Sequence, residues 1–219
     1  MGKQLYHEGY IVGVEGGAMS YASQAIFTPP TRLYHFLVIG QYIPEEDDYV
    51  ILEAIASGVR VGRLSWYKDD LYVVFRVNLP EAEELGRRAC YLASEFGRWG
   101  YDYMMYLHLG YHVPRVILRN LLKERRFRRI KPAEIPYYEN HAVICTEFAN
   151  ALWRQVGYPP IAGGVNPFPA GYIEAYIARK LVIAGANIPE RRAQRPLPAY
   201  LTIVQKYLEQ EGAYEPSTA

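Results

Sequence analysis

One of the two cysteines in this 219-residue chain opens an amphipathic run. In AVICTEFANALW, residues 142–153, Cys145 follows Val143 and Ile144 and begins a stripe continued by Phe148, Ala149, Leu152, Trp153 and Val156. That spacing predicts a helix with the thiol at its N-terminal end, on the buried side. A thiol is a weak nucleophile until ionised, and a helix N-terminus favours the thiolate through its unpaired N–H groups and the positive end of the dipole. An adjacent imidazolium adds to this, and the two together can lower a thiol pKa from about 8.5 to roughly 3.5–7.5. The same N–H groups can stabilise the oxyanion formed when the sulfur attacks an acyl carbon. The plainer alternative is a buried structural cysteine, the usual role of an unpaired one.

A nucleophile of this kind needs a base and a group to orient the base. Of the five histidines, His35 stands within an apolar strand-like segment, YHFLVIG, where its ring nitrogens need partners. Glu53 interrupts the next such segment, YVILEAI, and a carboxylate among Val, Ile and Leu is costly unless paired. Adjacent antiparallel strands can bring Glu53 beside His35, where it would hold the tautomer. Cys145, His35 and Glu53 then read as nucleophile, base and orienter. His141, four residues before the cysteine, is a rim residue on this reading, because Val143 and Ile144 suggest an extended approach. Asp102 is suited to a turn or cap and Glu147 to the helix dipole. Cys90, within the helix that starts near Glu81, reads as a structural thiol.

The positioning elements follow from hydrophobic pattern. Residues 8–14 read as a short strand and 20–26 as a short helix. Segments 33–40, 49–55, 59–66 and 71–77 are rich in β-branched and aromatic residues, with short turn-prone connectors, and predict an antiparallel meander. Asn78 to Glu81 opens a helix whose stripe is Ala82, Leu85, Ala89, Leu92 and Phe96, ended by Gly97 and Gly100. A basic helix is expected between Pro114 and Pro132, then the Cys145 helix, stopped by Gly157 and Pro159. After a Gly/Pro-rich loop, IAGGVNPFPAG, a helix is expected through YIEAYIARKLVIA and a last one near 199–211. Strands followed by helices give an α+β class.

The hydrophobic fraction of 50%, the charged fraction of 21% and a formal net charge of +1 describe an ordinary globular protein with no global case for nucleic acid. Two cysteines make no disulfide framework. The N-terminus lacks a signal-type apolar run, so a cytoplasmic location is expected, with release by lysis as a route outward. VEGGA and IAGGV lack the Lys-Ser/Thr ending of a phosphate loop, and His108 and His112 lack the Glu of a zincin helix; neither cofactor nor metal is expected. The basic segment 115–131 suits either a solvated face or a weak membrane-surface contact.

Several stretches together resemble a known family: EGYIVGV; TRLYHFLVIG, with Thr31 before the His35 strand; VILEAIASGVRVGRL; GYDY; and ICTEFANALW, where Thr146 and Phe148 vary a Cys-Ser-Glu-Leu-Val helix start. Histidine strand before cysteine helix is the order of the circularly permuted NlpC-like branch of the papain fold, the YiiX-like cysteine peptidases and amidases. The resemblance covers about residues 8–157, and the helix after NPFPAG resembles the family's C-terminal portion. It implies a papain-like α+β fold, with residues 1–160 as a catalytic core carrying a basic insertion at 104–136, and 161–219 as a helical extension packed on it. It also implies Cys145 as nucleophile, His35 as base and Glu53 as the third polar residue of a thiol hydrolase. The implied substrate is a peptide or small amide, of murein type, or a lipid acyl group that is hydrolysed or transferred. A noncatalytic binding or assembly role is the competing expectation.

Overall fold

The computed structural model describes residues 5–16, 25–29, 31–97, 100–136, 142–159, 161 and 168–189. Among them the chain is α+β, with a six-stranded antiparallel sheet and four α-helices. The strands of the sheet are β1 (Ile11–Glu15), β2 (Leu33–Ile43), β3 (Asp48–Ile55), β4 (Gly58–Arg63), β5 (Tyr72–Val77) and β8 (Leu181–Asn187). Two short strands, β6 (Gly100–Tyr101) and β7 (Ala142–Val143), pair in parallel. The helices are α1 (Ala82–Tyr91), α2 (Tyr103–Glu124), α3 (Cys145–Gln155) and α4 (Pro169–Ile177).

The sheet order is β4-β3-β2-β1-β5-β8, so only β2, β3 and β4 form the expected meander. Strand β1, IVGVE, is apolar enough to be covered on both faces, and it takes the centre, paired with β2 on one side and β5 on the other. The apolar run 59–66 does not stay extended to its end. After Arg63 the chain turns into a 3-10 segment, Leu64–Tyr67, where Asp48 accepts bonds from the Ser65 amide (3.1 Å) and hydroxyl (2.6 Å). That turn releases the chain from β3 and lets β5 reach β1.

Three further expectations are corrected. The basic helix does not start at Pro114: the aromatic segment and the basic one form a single helix, α2, with Pro114 inside it. Proline removes only its own N–H, here the one that would reach Gly110, and Asp102 supplies the N-cap by accepting from the Met105 amide at 3.0 Å. The helix stops before Pro132 as well, at Arg125, whose φ of 54° is left-handed. Beyond it Arg128 pairs with Glu124 (2.8 Å) and Glu134 (2.7 Å), so part of the basic run is neutralised within the fold. Finally, the helix expected through YIEAYIARKLVIA ends at Ile177, and residues 181–187 form the edge strand β8 against β5, because Leu181 and Ile183 alternate into the core. The expected helix at 199–211, most of the one at 20–26, and His141 lie outside the described residues. No helix among the described residues is long and apolar enough to cross a membrane.

The main core joins one face of the sheet to α1, α3 and α4 through Phe36, Phe75, Phe148, Leu152, Trp153 and Tyr172. The Cys145 stripe is buried as its spacing predicts, with Phe148, Ala149, Leu152 and Trp153 at 0% exposure. Trp153 donates from Nε1 to the carbonyl of Gly9 (3.1 Å), tying α3 to the segment before β1. The same segment crosses α1 at Gly86, where an added Cβ would strike the Glu8 carbonyl and Gly9, and Gly9 itself has a φ of 85°.

A helical Gly→Ala change ordinarily stabilises by about 1 kcal/mol. Here the sign should reverse: Gly86→Ala is expected to lower stability by about 2 kcal/mol by overpacking against backbone. The urea midpoint checks this, and an unchanged or higher midpoint would refute the close crossing.

Candidate active site

Glu53 is the most deeply enclosed charged group of the site, with no exposed surface. It lies opposite Leu37 in the β2–β3 register, and His35, two residues from Leu37 on the same side of β2, is therefore its diagonal neighbour. Nε2–H of His35 donates to Oε2 of Glu53 at 2.6 Å. Tyr67 donates its hydroxyl to the same oxygen at 2.6 Å, Arg60 donates from Nε to Oε1 at 2.8 Å, and its Nη2 makes an ion-pair contact with Oε1 at 2.8 Å. Both oxygens of the carboxylate are thus engaged by donors, which a buried carboxylate requires.

Cys145 is 9% exposed and begins α3, and its thiol lines the same cavity as the His35 ring. With Nε2 committed to Glu53, Nδ1 is the ring nitrogen left for the sulfur. The sulfur also lies 3.9 Å from the carbonyl oxygen of Tyr34. Burial acts to lower the pKa of His35, but its bonds with Cys145 and Glu53 outweigh burial and lift it to about 9. Burial acts to raise that of Glu53, but the bonds from His35, Tyr67 and Arg60 hold it below the ordinary carboxylate value. The fold therefore brings the three sequence-predicted residues together, Cys145 on the same cavity as His35 and His35 bonded to Glu53.

The start of α3 is not capped by a side-chain oxygen. Its N-cap is Ile144, which has no side-chain oxygen to offer. Glu147 reaches back to accept from the Ile144 amide at 3.0 Å. The first N–H groups of the helix, at Cys145 and Thr146, have no intrahelical carbonyl to bond. Burial pushes Glu147 up to about 7, with the nearby Asp102 carboxylate adding to the effect. Asp102 comes close because β6 and β7 pair just before α2 and α3 begin. The cap role expected for Asp102 is what the structure shows.

Three residues of the site were missed by sequence reasoning. Arg60 had a usable signal: Ile55 pairs with Gly58 across a two-residue turn, and counting outward puts Arg60 opposite Glu53. Tyr67 had none, because it sits on the 3-10 segment where the strand was expected to be ending. Nor had Tyr172 of α4, which stacks on Phe36 (4.3 Å between centroids) and donates to the Thr146 carbonyl at 2.9 Å, fixing the first turn of α3. Cys90 keeps its structural role: its thiol donates to the Ile39 carbonyl (3.3 Å), and burial pushes its pKa up to about 12.

No family model matches the chain, and no curated protein matches it either.

Replacing Glu53 by Gln removes the charge that His35 and Arg60 face, and is expected to cost about 1–3 kcal/mol, reduced from a fully buried pair because Arg60 is partly exposed. The raised His35 value contributes stability below 6.5 that is lost as pH rises through about 9. The lowered Glu53 value contributes stability above 4.5 that is lost as pH falls through its folded value. The difference between wild type and Glu53→Gln should therefore be widest between pH 4.5 and 6.5 and narrow toward pH 9. Denaturant melts across that range measure it, and a difference that grows toward pH 9 would contradict the pairing.

Proposed function

We propose that this protein is a thiol hydrolase of papain-like fold, of the circularly permuted NlpC-like type, that works through an acyl-enzyme on Cys145. The single observation that carries the reading is the Cys145 thiol and the His35 imidazole on one cavity, with His35 bonded to the buried Glu53. Polar groups of three separate elements, two of them buried and His35 half-buried, gather near the start of one helix, which packing alone does not call for.

In this reading His35 takes the Cys145 proton, and the thiolate attacks the carbonyl carbon of an amide. The N–H groups at the start of α3 receive the developing negative charge on oxygen. The tetrahedral intermediate collapses by breaking the C–N bond, and His35 gives its proton to the leaving amine. Water then attacks the thioester, His35 accepts a proton from it, and the C–S bond breaks to free the carboxylic acid and restore the thiol pair. Glu53 stays ionised throughout and holds the ring by Nε2, while Arg60 and Tyr67 hold Glu53. A murein-type peptide amide is the substrate class that the family resemblance suggests.

Alkylation by iodoacetamide tests the pair. At pH 6, Cys145 should react at least on the order of tenfold faster than Cys90. His35→Ala should abolish the advantage, and Cys145→Ala should leave only the slow label on Cys90. Slow labelling of Cys145 that is indifferent to His35→Ala would favour a binding protein that keeps the fold without the chemistry.

A further inference from the structure

The cavity that ends at Cys145 has a volume of about 370 Å³. That is near the lower end of small-molecule sites, roughly 300–1,000 Å³. Its wall is apolar over most of its extent. Met105, Leu109 and Val113, spaced by four residues, give it one row of the α2 surface, and Phe27 and Phe168 close it, their rings stacked at 5.1 Å between centroids. Polar groups gather at one end, where His35, Cys145 and Thr146 line the cavity. The Thr146 hydroxyl there is fully buried and has no partner. An unmet buried hydroxyl is costly, and it belongs to the residue that follows Cys145 in the first turn of α3.

This division of surface discriminates between acyl donors. A peptide chain brings an N–H and a C=O at every residue, and the apolar wall would leave those groups unpaired. A hydrocarbon chain loses nothing there and gains roughly fourfold in binding for each buried methylene. We infer that the cavity is an acyl-chain pocket, and that the group passed to Cys145 is an aliphatic acyl group of short to medium length. The inference rests on the thiol-hydrolase reading and gives that site an aliphatic acyl substrate in place of the peptide amide. The chain lies along the Met105, Leu109 and Val113 row, and the carbonyl oxygen meets the first N–H groups of α3. With an ester, the thiolate attacks the carbonyl carbon, the C–O bond breaks, and the proton held by His35 leaves with the alcohol. Water then releases the carboxylic acid, the proton returning through His35 to the thiol.

The test compares acetyl and octanoyl p-nitrophenyl esters on the full chain, following nitrophenolate release and the mass of the acylated Cys145. The octanoyl ester is expected to have at least a roughly tenfold higher kcat/KM. Gly110 lines the same cavity, and a Cβ added there meets nothing within 4 Å, so Gly110→Phe should fold and lower the octanoyl-to-acetyl ratio about tenfold. Binding of dansyl-undecanoate to Cys145→Ala reads the pocket without the chemistry. Equal rates for the two esters with no dansyl-undecanoate binding, while His35-dependent alkylation of Cys145 persists, would overturn the acyl pocket and leave the thiol hydrolase standing. Dansyl-undecanoate binding without acylation of Cys145 by either ester, and without His35-dependent alkylation, would overturn the hydrolase reading and the transfer with it.

Discussion

A carboxylate removed from water must be surrounded by donors or it will not stay ionised, and Glu53 imposes that constraint on this structure. Three hydrogen-bond donors from three other residues answer it: His35 from β2, Arg60 from β4 and Tyr67 from the turn after β4. Each must arrive in a fixed position, so the register of three adjacent strands and the early end of β4 are bound to one another through a single side chain. Arg60 also lies over the Trp66 ring, 5.1 Å from its centroid, and the His35 and Tyr67 rings stack at 6.0 Å, so the donors are packed as well as bonded. The imidazole is thereby held by one nitrogen, and the other is presented to α3.

The thiol is positioned by a separate set of contacts. The apolar stripe of α3 presses it against the sheet, the indole of Trp153 ties its far end to Gly9, and Tyr172 grips its first turn through the Thr146 carbonyl. An N-cap residue with an oxygen would have bonded one of the first N–H groups. Ile144 cannot, and Glu147, with Asp102 nearby, bonds the Ile144 amide instead. The first N–H groups of the helix, beginning at Cys145, therefore have no side-chain cap.

Helix α2 explains why the site is a pocket and not an open face. Its inner row lines the cavity, while Met104, Leu107, Tyr111, Leu118 and Leu122 are exposed on it. The inner face is anchored at its basic end through Val116, which packs with Phe27, Ile130, Ile135, Phe168 and Ala170. Arg128 and Glu134 fasten the chain that follows the helix. The charge in that region thus serves partly to hold the cavity wall in place.

The α+β class, strands β1 to β5 of the sheet, the α3 stripe and the three polar interruptions at Cys145, His35 and Glu53 were legible in the sequence, because each is a regular hydrophobic period or a local departure from one. Arg60 was legible too, by counting out from a two-residue turn. The central place of β1, the continuation of α2 through Pro114 and the strand at 181–187 were not, since sheet order and helix continuity depend on which distant surfaces need covering. Tyr67 and Tyr172 carried no signal at all, because an unexceptional tyrosine becomes a site residue only when the fold brings it to a carboxylate or a helix start. Sequence by itself determined which groups had to find partners; the tertiary structure alone decided which partners they found, since burial costs are set residue by residue and their relief is set by long-range pairing.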